Sequence, residues 1–372
     1  MTKFALIIGT RPNFMKAVPV WNSLKKIIPK EQLYFIHTGQ HYSHDLSKVF
    51  IDDLKLNNKE IIYLEKYSDT QYPKTSVADG FSWIIKHLST LFINEKIDKV
   101  IVFGDVNSTL AAGLAAKINK LHLIHIESGL RSYDSLMPEE RNRLLVDKLS
   151  DQLFITEKSA KQNLFKEGIT KNIYHCGNTM MDTLNKYLPN IRKSTYYSSF
   201  YVNTSQYILF TLHRQNNVDN KSTLEKIIKA ILNVTNIIKT PVLFIAHPRT
   251  VKNIKNFKLD LGTISLINSQ SYLNMLNLIY NSGILLTDSG GLQEESSYLG
   301  IPCITIRKNT ERPLTVEKGY NCIISPERSD FYKAFEKEVL EKYGKRKENL
   351  DEIRQEMGNG EAAAKIVNHI LQ

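Results

Sequence analysis

The sequence predicts an α/β protein of two Rossmann-like, doubly wound parallel-sheet domains facing a central cleft. Short runs rich in Ile, Val and Phe alternate with longer amphipathic segments from one end of the chain to the other. Those runs are apolar throughout, the pattern of strands whose sheet is covered by helices on both faces, and strand–helix alternation of this kind builds parallel sheets. At 372 residues the chain exceeds one ordinary domain and fits two.

In order, the apolar runs place strands at 4–8, 33–37, 99–103, 121–126, 152–155 and 173–176, then at 206–212, 241–245, 283–286, 301–306 and 321–324. Amphipathic periodicity places helices between them at 75–95, 107–119, 138–149, 157–167, 221–239, 270–281 and 290–299. Around 188–205 the alternation breaks, with Pro189 and the polar run Ser194-Thr195-Tyr196-Tyr197-Ser198-Ser199, and it restarts at Gln206. The domain division belongs there or one strand earlier, near 172. We draw the first domain as 1–172 and the second as 173–357. The stretch 336–357 is highly charged and reads as an exposed helix pair.

Hydrophobic residues make up 42% and charged residues 23% of the chain, a balance that supports buried cores. No stretch approaches the roughly 20 apolar residues of a membrane span, so no membrane association is expected. Residues 1–9 read as a first strand, too short an apolar run for a signal peptide, which points to the cytoplasm. Cys176, Cys303 and Cys322 are odd in number, widely spaced and set in apolar runs, which is neither a disulfide framework nor a zinc site. The net charge of +11 raises nucleic acid as a partner. The lysines are dispersed, however, and no basic–aromatic module appears, so nucleic acid is not expected.

Nearly every apolar run ends in a polar or glycine-bearing cluster. These are Gly9-Thr10-Arg11-Pro12, Thr38-Gly39-Gln40-His41, Gly104-Asp105-Val106-Asn107, Glu127-Ser128-Gly129-Leu130-Arg131, His213-Arg214, His247-Pro248-Arg249 and Thr287-Asp288-Ser289-Gly290-Gly291. Ligands of open parallel sheets bind at the carboxyl ends of the strands, so one rim of each sheet is lined for binding. At 287–295 paired glycines let the backbone approach an oxyanion, and the helix start adds about 0.3–1 kcal/mol through its dipole. The alternative is a plain helix capped by Ser289 or Asp288.

Arg11 and Lys16 are cationic candidates for a diphosphate, or surface charges. Asp105 and Glu127 follow apolar strands, where burial tunes carboxyl groups for acid–base work. The pair Glu139-Glu140, after Pro138, is a third acidic place, with Glu139 alternatively a first-turn residue favoured by the helix dipole. His213 reads as a proton handler or phosphate partner. No Gly-x-Gly-x-x-Gly, Walker loop, His-Glu-x-x-His, Cys-x-x-Cys or Asp-x-Asp pattern is present, so no cofactor and no metal are expected.

These motifs closely resemble those of the non-hydrolysing UDP-N-acetylglucosamine 2-epimerase family. Besides the clusters above, the match takes in Pro138-Glu139-Glu140-Arg141-Asn142-Arg143, Gly177-Asn178-Thr179 and Thr310-Glu311-Arg312-Pro313, in order over about residues 4–325. The resemblance implies the GT-B arrangement, with the nucleotide in the cleft and the last helix, about 358–372, returning to the first domain. It implies an isomerase that abstracts the C2 proton of a UDP-sugar, expels UDP to leave a 2-acetamidoglucal, and re-adds UDP with protonation from the opposite face.

Position by position, the resemblance assigns Asp105, Glu127, Glu139 and His213 to catalysis. It assigns Arg11, Lys16, Gln40, His41, Arg131, His247, Ser289, Gly290, Gly291, Glu295 and Arg312 to the UDP-sugar, with Glu295 at the ribose. A homodimer is also implied. Two positions depart from the family pattern. Asn216 stands where many members have Glu, and Tyr42 stands where many have Arg in Gln-His-Arg. The Tyr42 form resembles the branch that also holds epimerases of UDP-2,3-diacetamido uronic acids. The other readings are a hydrolysing 2-epimerase, a GT-B glycosyltransferase and a non-catalytic nucleotide-sugar sensor.

Overall fold

The structure, a computed structural model, describes residues 1–40, 54, 56–67, 70–73 and 75–372, with Arg11 described in its backbone only. The described chain forms two compact units, Met1–Lys186 with Glu356–Gln372, and Tyr187–Gln355.

The first unit holds a seven-stranded sheet of β1 (Phe4–Ile8), β2 (Leu33–His37), β3 (Ile61–Tyr63), β4 (Lys99–Phe103), β5 (His122–Ser128), β6 (Gln152–Ile155) and β7 (Ile173–His175). Their order is β3-β2-β1-β4-β5-β6-β7, with every pairing parallel. The helices are α1 (Arg11–Leu24), α2 (Val77–Glu95), α3 (Asn107–Ile118), α4 (Pro138–Leu149), α5 (Lys158–Lys166) and α6 (Thr179–Lys193). All five residues of β1 are buried, as a strand covered on both faces requires. Ala111, Ala112, Ala115 and Ala116 of α3 are fully buried, and their small side chains let α3 pack against both α2 and α4.

The second unit holds β8 (Ile208–Leu212), β9 (Val242–Ala246), β10 (Ile264–Ile267), β11 (Ile284–Thr287), β12 (Cys303–Thr305) and β13 (Asn321–Ile323). These too are all parallel, in the order β10-β9-β8-β11-β12-β13. Its helices are α7 (Gln215–Val218), α8 (Lys221–Ile238), α9 (Pro248–Phe257), α10 (Tyr272–Asn281), α11 (Gly290–Leu299), α12 (Pro313–Glu317), α13 (Phe331–Lys342) and α14 (Asp351–Met357). Phe210, Phe244, Ile284, Phe331 and Phe335 lie in its core. Both sheets carry the Rossmann strand order, whose direction reverses between β1 and β4 in the first and between β8 and β11 in the second.

Where the strand and helix boundaries differ from expectation, the cause is local. β3 and β10 were not anticipated: β3 is only three residues long, and β10 has two exposed positions, so neither makes a long apolar run. α1, α6 and α9 were hidden by proline. Pro12 and Pro248 stand at helix starts, where the missing N–H is harmless, while Pro19 and Pro189 lie inside helices.

The boundary drawn at 172 also differs from the structure. β7 pairs with β6, so residues 173–175 belong to the first sheet, and the units divide within α6 after Lys186. The last helix, α15 (Ala362–Leu371), lies with the first unit. Asp182 accepts from the Ala362 and Ala363 N–H groups at 3.0 and 2.7 Å, and Lys99 donates to the Ile370 carbonyl at 2.9 Å. Among the described residues no helix is long and apolar enough to cross a membrane.

Candidate active site

In the first unit the chemistry gathers at the carboxyl ends of β1, β4 and β5. Asn13, buried in the first turn of α1, accepts from the Gly9 and Thr10 N–H groups at 3.2 Å and donates to the Phe103 carbonyl at 3.1 Å. It thereby ties the end of β1 to the end of β4 across the switch point. Lys16, one turn further along α1, forms an ion pair with Glu127, and both side chains are buried. Gly104 has φ +64°, and a Cβ there would lie 3.0 Å from Lys16 Nζ, so its bare backbone makes room for the pair. Glu127 sits at a register shift between Ile126 and Ser128 and has φ +69°, a left-handed conformation that β-bulges impose on few non-glycine residues.

Asp105 follows β4, with its side chain 19% exposed and paired to the buried guanidinium of Arg143. Arg143 also donates to Glu140 Oε2 at 2.6 Å, and Glu140 accepts from the Ser132 and Tyr133 N–H groups at 3.0 Å. Of the acidic pair at the start of α4, Glu140 is therefore the buried structural member, and Glu139 faces solvent. Gln40 accepts from Ser108 N at 2.8 Å and Ser108 Oγ at 2.6 Å, which ties residue 40 to the start of α3. Arg131 is placed inside the unit: its side chain is 1% exposed and is held by Asp147 and Glu167, each at 2.7 Å. His41, Tyr42 and the Arg11 side chain lie outside the described residues.

In the second unit the equivalent switch point is built around Asp288, which is fully buried after β11. Its carboxylate accepts from the His213 and Arg214 N–H groups, from Asn217 Nδ2 at 3.1 Å, and faces His213 Nδ1 at 2.8 Å. Burial alone would raise this carboxyl, but the His213 charge, with these donors, brings it below its ordinary value. The His213 ring is thus oriented from behind while 47% of its side chain stays exposed.

Ser289 occupies the N-cap of α11 without making a side-chain capping bond, so the capped-helix reading does not hold for its side chain. A Cβ on Gly290 would stand 2.5 Å from Glu311 Oε1. Burial alone would raise Glu311, yet Arg307, Arg312 and Arg214 hold it well below the usual carboxylate range.

Glu295 is buried beside Tyr272. Burial, joined by the Glu294 charge and opposed by the Tyr272 hydrogen bond, pushes its carboxyl up to about 8. Arg312 pairs with Glu294 at 2.8 Å, both side chains being buried, and exposed His247 accepts from Arg249 N at 3.2 Å to cap α9.

Sequence reasoning did not single out Asn13, Arg143, Asp147 or Asp288 for these jobs. Each lies in or beside a quoted motif, but only its contacts reveal that it holds another residue in place. Among the described residues no group of three or more His, Cys, Asp or Glu side chains forms a metal-binding cluster.

A family model described as UDP-N-acetylglucosamine 2-epimerase matches residues 26–371. The chain belongs to this 2-epimerase family. A UDP-N-acetylglucosamine 2-epimerase of Methanocaldococcus jannaschii is 37% identical over 374 residues, covering 98% of each chain. A crystal structure of the M. jannaschii enzyme in complex with UDP-GlcNAc and UDP matches with TM-score 0.88 at 35% identity, covering 100% of this chain and 99% of that one. A UDP-2,3-diacetamido-2,3-dideoxy-D-glucuronate 2-epimerase of Pseudomonas aeruginosa is 34% identical over 377 residues, covering 100% of this chain and 99% of its own. The 2-epimerase family thus takes in this chain over both parallel sheets.

Proposed function

We propose that this family member interconverts UDP-N-acetylglucosamine and UDP-N-acetylmannosamine without net hydrolysis. One observation carries the reading beyond family membership: Asp105 and Glu127 stand on adjacent strand ends of one rim, each paired with a buried cation, Arg143 or Lys16. Inversion at C2 needs a proton-transfer group on each face of the sugar, and such a group contributes about 10²–10⁴ in rate.

A carboxylate takes the C2 proton, the C1–O bond breaks, and UDP leaves with the bonding pair to give the 2-acetamidoglucal. UDP then attacks C1 while a second acid delivers a proton to the opposite face of C2. Glu139, exposed at the start of α4, is the third acid of the set.

In the second domain, the first-turn N–H groups of α11 at Gly290 and Gly291, with the side chain of the N-cap Ser289, suit the diphosphate, with His213 beside them. The Ser289 N–H itself donates to Thr287 Oγ1. Glu295 suits the ribose hydroxyls. Lys16, Gln40, His247 and Arg312 complete the substrate contacts, whereas Arg131, buried against Asp147 and Glu167, serves the fold and not the substrate. Arg11 and His41 belong to the same proposed set. The enzyme works in the cytoplasm as a homodimer and takes neither metal nor nucleic acid.

The test is incubation with UDP-N-acetylglucosamine in heavy water. The manno epimer with deuterium at C2 is expected, and free N-acetylmannosamine with UDP would point to hydrolysis instead. Asp105→Asn should abolish the exchange while UDP still binds, and unchanged turnover would remove Asp105 from the mechanism. The match to the diacetamido glucuronate epimerase supports a second substrate, UDP-2,3-diacetamido-2,3-dideoxy-glucuronic acid. Ranking kcat/KM for the two sugars decides between them.

A further inference from the structure

Glu127 is held in a left-handed backbone conformation that isolated residues of its type avoid, so its surroundings must enforce it. Those surroundings converge on one buried carboxylate. Asp147 Oδ1 meets His125 Nδ1 at 2.7 Å, and Asp147 Oδ2 accepts from Gly129 N at 3.0 Å. Asp147 thus grips the chain two residues before and two residues after Glu127. The other nitrogen of the same imidazole, Nε2, lies 2.7 Å from the Gly104 carbonyl, immediately before Asp105. The ring thus bridges the Asp147 carboxylate to the Gly104 carbonyl. His125 and Asp147 are at most 1% exposed.

We propose that Asp147, acting through His125, is the positioning residue that sets Glu127 and Asp105 against each other for proton transfer on the two faces of the sugar. The proposal rests on the 2-epimerase reading. Asp147 touches neither reacting carboxylate; it clamps the backbone that carries one and, through the imidazole, the backbone that carries the other. Arg131 and Glu167 extend the same buried network outward without reaching either segment's reactive residue. The network therefore contains its own control. Glu167→Gln removes a charge from it but leaves the grip of Asp147 on residues 125 and 129 intact.

The experiment uses the full chain with UDP-N-acetylglucosamine in heavy water, reading kcat, KM, UDP affinity and free UDP released per deuterium incorporated at C2. Asp147→Asn leaves one acceptor oxygen for three donors, His125, Gly129 and Arg131. It is expected to lower kcat about 10²-fold, the scale of an ångström-sized misplacement, with KM and UDP affinity little changed. The fraction of UDP and glucal escaping per turnover should rise, because the second proton transfer is out of line. His125→Asn keeps a donor toward Asp147 but loses the one toward Gly104. It should show the same split, and it decides the question if Asp147→Asn does not fold. Glu167→Gln should lower the melting temperature and leave kcat and the UDP ratio at wild-type values.

A folded Asp147→Asn or His125→Asn with wild-type kcat and UDP ratio overturns the proposal, as does an equal loss of turnover in Glu167→Gln. Absence of wild-type turnover on both UDP-N-acetylglucosamine and its diacetamido uronate relative overturns the functional reading itself, and the proposal with it.

Discussion

Glu127 was visible in the sequence as an acid at the end of an apolar run, but nothing in the run announces the left-handed backbone that aims it. Arg131 and Arg143 show the same limit, since either fits a cationic contact in one dimension. Folding sends the Arg131 side chain to Asp147 and Glu167, and the Arg143 side chain to Asp105 and Glu140. Glu295 supports a prediction at this scale. Burial lifts its folded-state pKa from 4.5 to about 8, so the folded protein keeps a proton that the unfolded chain releases. Unfolding free energy from this group is then greatest below about 4.5 and declines as pH rises toward about 8. Glu295→Gln stays neutral throughout. Its melting temperature relative to wild type, measured without nucleotide, should climb steadily between those pH values. A difference that is flat or falls with pH would contradict the assignment of a buried, protonated Glu295.

Elements with a long apolar or amphipathic period were legible to within a residue or two, because one physical signal, burial of a face, runs through their whole length. β1 and β2 match residue for residue, and α4 and α11 likewise. Short elements, and the helices α1 and α6 with proline inside them, lacked that signal and took their form with the partners that neighbouring strands and helices supplied. Local chemistry still sets helix ends. Asn220 caps α8 by accepting from Thr223 N at 3.0 Å, and Asn220→Ala should cost about 1 kcal/mol of stability. The melting temperature should fall while C2 exchange stays at the wild-type rate. Lost exchange in a protein of wild-type stability would mean that the cap acts on the site and not on the helix.

At the scale of the whole molecule, the last helix is a test of how the first unit is completed. Ile366, Val367 and Ile370 of α15 are at most 1% exposed. Burying three such side chains contributes on the order of 5–9 kcal/mol. A domain's net stability is only about 5–15 kcal/mol. Deleting residues 361–372 should therefore leave a chain without a cooperative thermal transition in its first unit, as read by calorimetry. A deletion variant that melts like the full chain would show that α15 is dispensable to the fold.

By itself the sequence determined the fold class, the order of most strands and helices, and the rim on which chemistry would sit. Those properties follow from hydrophobic periodicity and from what a strand end must do, and both are written locally along the chain. The tertiary structure decided which like residues work and which support them: Glu140 inside and Glu139 outside, Asp288 behind His213, Asp147 astride Glu127. These choices depend on contacts between residues far apart in sequence. Such contacts arise only once the sheets bring the strand ends side by side, and burial then makes every charge find a partner.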